Sequence, residues 1–323
     1  MKRRRYQRGS ALLAVLWLVA ALSAIAFAVA NTVRSETERT GTGSDALRTY
    51  YLATGSVERA LLYMFWGPQF RNADGSPKYY EPGMSRLNFN FPSGVATVEI
   101  IPESSKININ TAMPADIASL LGHLGVPAER ASELTAAIVD WRSPLGQGLT
   151  EFDQFYGSLH PSFRARHASL EEIEELLLVK GMTPELFYGS YVQDPAGQLV
   201  PTGGLRNCVS IYAVPENVDA NTAEPAVLAT IGITPEMVQA IVQRRHATPF
   251  RNMQDLQQFV QGGGAGVTRL RVGGGTMFTV RATAQLRLPD GRMSDLRRTV
   301  SALVKFREAG YNPPIETLRW YEN

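Results

Sequence analysis

The stretch RRRYQRGSALLAVLW, residues 3–17, sets a cationic cluster (Lys2, Arg3, Arg4, Arg5 and Arg8) directly against an apolar run. From Gly9 to Val33 there are 25 positions without a charge. At about 1.5 Å per helical residue this exceeds the roughly 30 Å of a bilayer's hydrocarbon core. The segment is long enough to span. Its basic residues lie on one side only, which orients the N-terminus toward the cytoplasm and the chain after Arg34 toward the opposite side.

Three readings of this segment are open. As a secretory signal it would be cut after Ala28-Val29-Ala30, giving a mature start at Asn31, although its apolar core is longer than the ~7–15 residues usual for such signals. As a plain anchor it would keep Met1. The third reading rests on Arg8-Gly9 followed at once by Ser10-Ala11-Leu12-Leu13. That junction resembles a type IV prepilin cleavage site, cut between Gly9 and Ser10 on the cytoplasmic face, which leaves the apolar helix on the mature protein.

The composition describes a globular chain: 323 residues, 44% of them hydrophobic, with a net charge of +2. The five leader cations account for that sign, and the rest of the chain carries −3. The body therefore lacks the basic field of a typical nucleic-acid binder. The single cysteine, Cys208, forms no internal disulfide and reads as a small buried hydrophobe.

Downstream, Gly41-Thr42-Gly43 should fray or kink a helix, each Gly costing about 1 kcal/mol against Ala. A stripe then resumes through Leu47, Tyr50, Tyr51, Thr54, Val57, Leu61, Met64 and Phe65, at helical spacing. Residues 67–94 read as a loop, and 95–101 as a strand. Phe278, Val280, Ala282, Ala284, Leu286 and Leu288 alternate with polar residues, Pro289-Asp290-Gly291-Arg292 turns the chain, and Val300, Ala302, Val304 and Phe306 repeat the alternation. Ile315, Leu318 and Trp320 add an edge strand. The fold class expected is α+β, a long N-terminal helix on a small antiparallel sheet, with a large helical insertion.

The insertion contains a repeat. Asn110-Thr111-Ala112-Met113-Pro114 returns as Asn221-Thr222-Ala223-Glu224-Pro225, and the turns Gly125-Val126-Pro127 and Gly232-Ile233-Thr234 follow. The helices after them end at Trp141-Arg142 and Arg244-Arg245. The offset between copies falls from 111 to 107 to 103 residues, so each helix of the first copy is one turn longer. A third, partial copy has Ser169-Leu170-Glu171-Glu172 as a capping box and Gly181-Met182-Thr183-Pro184 as its turn. These are helix-hairpin-helix units, whose turns at Gly125, Gly181 and Gly232 could present backbone N–H groups to phosphate. Against that use, the second glycine of such a turn is replaced by Pro127, Thr183 and Thr234, Pro127 lacks an N–H, and neither full copy carries excess Lys and Arg. Protein binding or a structural role is the expectation.

No chemistry of catalysis is found. His123, His160, His167 and His246 are scattered and read as surface or cap residues, without metal-ligand spacing. Neither Gly262-Gly263-Gly264-Ala265-Gly266 nor Gly273-Gly274-Gly275 is followed by Lys-Ser/Thr, so both read as flexible junctions. No Gly-x-Ser-x-Gly elbow occurs.

Taken together, Arg8-Gly9, Ile107-Asn108-Ile109-Asn110-Thr111-Ala112, Asp140-Trp141 and Glu175-Leu176-Leu177-Leu178-Val179-Lys180-Gly181-Met182, in this order, resemble the K-type minor pseudopilins of type II secretion (GspK family). Most pilins carry Glu at the fifth mature position. Here it is Ala14, and the K type is the one that usually lacks that glutamate. The resemblance implies a leader at 1–9, a membrane and assembly helix at 10–33, and the helix, loop and first strand of a pilin-like domain at 34–104. An all-α insert of helix-hairpin-helix (SAM-like) units at 105–262 and the remaining strands at 263–323 complete it. It further implies cleavage after Gly9 by prepilin peptidase, N-methylation of Ser10, and a single-pass inner-membrane protein with its bulk in the periplasm. The role implied is non-enzymatic: a subunit at the pseudopilus tip with I- and J-type minor pseudopilins, initiating assembly and supporting export of folded proteins. Calcium binding in the insert is implied for the family. The candidates here are Asp140, Glu151 and Asp153, with Ser143 where a further Asp is usual; no other cofactor and no nucleic acid is expected. The alternative is a membrane-anchored helix-hairpin-helix DNA-binding or uptake protein.

Overall fold

A computed structural model describes residues 10–193, 197–214, 217–273, 275–307 and 310–322. Gly9 lies outside them. Helix α1 (Ser10–Trp66) runs without interruption for 57 residues. The break expected at Gly41-Thr42-Gly43 is absent, because extending an existing helix adds a hydrogen bond per residue without a new nucleus. The hydroxyls of Thr37, Thr40 and Thr42 also donate to carbonyls one turn back at 2.8, 2.8 and 2.9 Å. From Leu12 to Ser44 the helix is exposed on every side; beyond it, Ala53, Val57, Ala60, Leu61 and Met64 form a buried face. Leu47 and Tyr51, which the helical spacing assigned to that face, stay exposed, because they share with Gly55, Glu58 and Leu62 the side of the helix opposite the buried Thr49, Ala53, Val57 and Ala60.

Strands β1 (Arg86–Phe91) and β2 (Gly94–Pro102) form a tight antiparallel hairpin. The first lies inside the segment expected to be a loop. Its Leu87, Phe89 and Phe91 alternate, but they are hidden among Asn and Pro. Gly94 is needed at the turn: a Cβ there would stand 2.2 Å from the Gln285 carbonyl and 2.9 Å from Leu52 of α1.

The chain then leaves the sheet through β3 (Ile107–Asn108), α2 (Pro114–His123), α3 (Ala128–Arg142) and α4 (Glu151–Ser158). A short 3₁₀ turn, Ile173–Leu178, leads to α5 (Pro184–Tyr188), the hairpin β4 (Gly189–Gln193) and β5 (Leu199–Gly203), α6 (Leu205–Cys208) and β6 (Val209–Ser210). That 3₁₀ turn replaces the helix expected from residue 169, and its capping box is made by Glu172 and Glu175, not Ser169. The second copy follows as β7 (Val218–Asp219), α7 (Pro225–Thr230), α8 (Pro235–Ala247), α9 (Met253–Phe259) and β8 (Leu270–Arg271). Both copies open on a two-residue parallel pairing, β3 with β6 and β7 with β8. Strands β9 (Met277–Arg287), β10 (Met293–Phe306) and β11 (Ile315–Glu322) return the chain to one antiparallel sheet of order β1-β2-β9-β10-β11.

Two hydrophobic cores result. One lies between α1 and the sheet, on Val98, Ile100, Val280, Ala282, Val300 and Val304; the other lies wholly among the insert's helices. The helical core continues through Val267, Leu270 and Val272, beyond the boundary expected at residue 262. A polar cleft of about 260 Å³ separates the sheet's outer face from the insert. It is crossed by an ion pair between Arg319 and Glu172 and by a 2.6 Å hydrogen bond from Thr279 to Glu103.

Candidate functional site: the hairpin turns and the Asp-Trp loop

Helix α2 ends in a turn whose backbone is repeated at the end of α7. Gly125 (φ +85°) and Gly232 (φ +94°) adopt the left-handed conformation that glycine tolerates at a helix C-terminus. Val126 N–H reaches the Leu121 carbonyl at 3.0 Å, and Ile233 N–H reaches Leu228 at 3.2 Å. Gly181 (φ +87°) forms the third turn. The first helices show the length difference read from the offsets, α2 having 10 residues and α7 having 6, whereas α3 with 15 residues exceeds α8 with 13 by only half a turn.

None of the three turns offers a phosphate cradle. In the first, the α3 N-cap is Pro127, without an N–H, and Glu129 occupies the first turn where the helix dipole favours an anion of its own chain. The third is tied to the first by Arg130, which donates to the Gly181 carbonyl at 3.2 Å, and Thr183 caps its own helix through Leu186 N–H.

The second turn is covered by the chain itself. Thr234 N–H donates to the Gly263 carbonyl at 2.9 Å, and Gly266 N–H donates to Gly232 at 3.3 Å. A Cβ on Gly264 would stand 2.4 Å from the Gly232 oxygen, and one on Gly266 would stand 2.3 Å from the Ile231 oxygen. The glycine-rich run, expected as a flexible junction, is thus a cover plate whose glycines permit backbone-to-backbone contact.

The basic residues ending α3 and α8 are turned inward. Arg142 donates to the carbonyls of Ile109 and Ala112, and Arg245 donates to those of Ala220 and Ala223, at 3.1 and 2.6 Å. Burial lowers the pKa of both guanidiniums, Asp219 and Glu224 opposing that shift at Arg245. Each arginine closes the Asn-Thr-Ala segment of its own copy and is not available to a ligand. Cys208 is buried, which pushes its thiol up to about 12 and keeps it from acting as a thiolate.

In the Asp-Trp loop, Trp141 is buried, its ring edge-on to Tyr156 at 5.5 Å, and its indole N–H donates to Glu175 at 3.3 Å. Tyr156 is fully buried and accepts from Lys180 N–H at 3.1 Å. Of the calcium candidates, Asp140 and Asp153 are brought together around Thr150, whereas Glu151 is exposed on the first turn of α4. Asp153 closes the α4 capping box, accepting from Thr150 N–H at 3.0 Å, and that bond and His167 hold its carboxyl below the usual range. Burial pushes the Asp140 carboxyl up.

His167, expected at the surface, is largely buried in this loop, with Nε2 2.9 Å from Asp153 and Nδ1 3.2 Å from the Asp140 carbonyl. Sequence reasoning missed it because the contact joins residues far apart along the chain. Its sole local signal is the acidic α4 start upstream. Ala14 lies on the exposed apolar part of α1, and Ser10 is the first residue of that helix.

Two family models, both described as type II secretion system (T2SS) protein K, match residues 98–188 and 218–273. They fall on the two copies of the helical unit. The type II secretion system protein K of Pectobacterium carotovorum subsp. carotovorum is 26% identical, over 79% of this chain and 80% of that protein. That of Klebsiella pneumoniae is 28% identical, over 56% and 60%. Among solved structures, the crystal structure of the GspK-GspI-GspJ complex from the enterotoxigenic Escherichia coli type 2 secretion system contains a chain of the same fold. The TM-score is 0.54 at 16% identity, covering 89% of this chain and 99% of that one. With the long helix, the five-stranded sheet and the duplicated helical insert in place, the chain belongs to the protein K family of type II secretion systems, the K-type minor pseudopilins.

Proposed function

We propose that this protein caps a periplasmic pseudopilus, anchored in the inner membrane by residues 10–33 after prepilin peptidase has cut between Gly9 and Ser10. The observation that carries this reading is the division of α1. One continuous helix is exposed and apolar over its first half and is the spine of a sheet over its second. A cut at Ala30 would discard the exposed half; a cut at Gly9 keeps it for the bilayer and then for packing against neighbouring subunits. Ala14 removes the carboxylate that would contact a preceding subunit, and the bulky insert resists repetition along a filament. A single copy at the end, with I- and J-type minor pseudopilins beside it, satisfies both. The role is assembly and support of export, without catalysis.

Mass spectrometry of the chain isolated from membranes tests the processing: the expected N-terminus is N-methylated Ser10, and a start at Met1 or Asn31 overturns it. The nucleic-acid alternative is disfavoured by the plugged and proline-capped turns. A low-salt gel-shift titration of the full chain in detergent should show no salt-sensitive binding to duplex DNA.

A further inference from the structure

His167 holds its backbone in the left-handed region, at φ +51°, a conformation that costs a residue with a Cβ on the order of 1 kcal/mol. That backbone carries the ring into the Asp-Trp loop, where the side chain is only 11% exposed. Both ring nitrogens face oxygens that accept hydrogen bonds. Nε2 lies 2.9 Å from Asp153 Oδ1 and Nδ1 lies 3.2 Å from the Asp140 carbonyl. Whichever nitrogen carries the proton, the ring fills the gap between these two oxygens. The ring thereby joins the last turn of α3 to the first turn of α4. The other groups that act on the ring are the Asp140 carboxylate on α3 and the backbone of Ser143 just beyond it.

The same oxygens fail as a calcium site. Calcium takes six to eight oxygens at about 2.3–2.6 Å. Asp153 Oδ1 already faces the ring, and its Oδ2 accepts from Thr150 N and lies 3.2 Å from Thr150 Oγ1. Asp140 Oδ2 lies 3.4 Å from that same hydroxyl, and Glu151 is exposed. Among the described residues, no group of three or more His, Cys, Asp and Glu side chains is arranged to hold a metal ion.

We infer that the His167 ring takes the place a divalent cation would hold between Asp140 and Asp153, so that this insert closes its 140–167 segment with a side chain of its own instead of calcium. The head then keeps its shape whatever the calcium concentration around it.

The full-length chain in detergent micelles is melted in EGTA and in millimolar CaCl₂, and titrated calorimetrically with CaCl₂. The expected result is one melting temperature in both media and no saturable heat; saturable binding or a rise of several degrees overturns the inference. The variant His167→Ala is expected to melt several degrees lower in EGTA and in CaCl₂ alike, because the segment loses the ring that closes it while Asp140 and Asp153 by themselves offer calcium too few oxygens. A variant that melts like the parent refutes the inference. If it does not fold, the calorimetric titration of the parent decides, and saturable binding of CaCl₂ refutes the inference.

Discussion

Asn110 and Asn221 close the same clamp in the two copies of the helical unit. Asn110 Nδ2 donates to the Leu170 carbonyl at 2.9 Å while its Oδ1 accepts from Leu170 N–H at 2.8 Å. Asn221 does the same to Phe250, at 2.9 and 2.9 Å. The asparagine amide presents a donor and an acceptor side by side, the complement of one backbone residue in extended conformation. The copies differ in burial: Asn221 is 6% exposed and also reaches the Gly83 carbonyl at 3.1 Å, so it additionally ties the insert to the segment before β1.

Replacing Asn221 by Ala therefore leaves both backbone groups of the buried Phe250 without partners, at about 1–3 kcal/mol for each. We expect Asn221→Ala to lower the melting temperature more than Asn110→Ala, whose site is half-buried. Differential scanning of both variants in detergent checks the order.

Glu103 is the carboxylate at the joint between sheet and insert. It is 3% exposed and accepts from Lys106 Nζ at 2.9 Å and from Thr279 at 2.6 Å. Burial pushes its carboxyl up, but the Lys106 charge and the hydroxyls of Ser210 and Thr279 outweigh that and hold it below its ordinary value. A lowered folded pKa means that the stabilisation is present above the unfolded value of about 4.3 and is lost as pH falls through the folded one. We expect Glu103→Gln to cost about 3 kcal/mol at neutral pH, and the gap between the parent and variant melting temperatures to narrow as the pH falls below the unfolded value of about 4.3.

Gly264 is held at φ +103°, with the Gly232 carbonyl against it. Gly264→Ala should cost about 2 kcal/mol through backbone strain alone and lift the cover from the second turn. Hydrogen exchange reads this directly, as faster exchange of the Thr234 amide. An unchanged rate would show that the cover does not protect the turn.

Gly41 and Gly43 meet nothing within 4 Å where a Cβ would stand. The double variant Gly41→Ala, Gly43→Ala should stabilise that stretch of α1 by about 1 kcal/mol per position, seen as slower hydrogen exchange over residues 38–48. If the exchange is unaltered, these glycines do not weaken the helix.

The sequence by itself determined the elements whose signal is local or periodic. The uncharged apolar run after Arg8-Gly9, the period-two strands around Val280 and Val300, and the helical face through Val57 and Leu61 could all be read directly. The copies of the Asn-Thr-Ala segment and the hairpin-turn glycines Gly125, Gly181 and Gly232 were legible because a duplicated unit repeats its caps in register. Only the tertiary structure decided what those segments face. The glycines at 263–266 look flexible until the Gly232 turn is laid against them, and Arg245 looks available until it meets the Ala220 and Ala223 carbonyls. His167 looks like a surface residue until the fold folds it between Asp140 and Asp153. Composition and spacing record the conformation a segment prefers, but hydrogen bonding and charge pairing depend on groups that chain topology, not sequence neighbourhood, brings within 3 Å or so of one another.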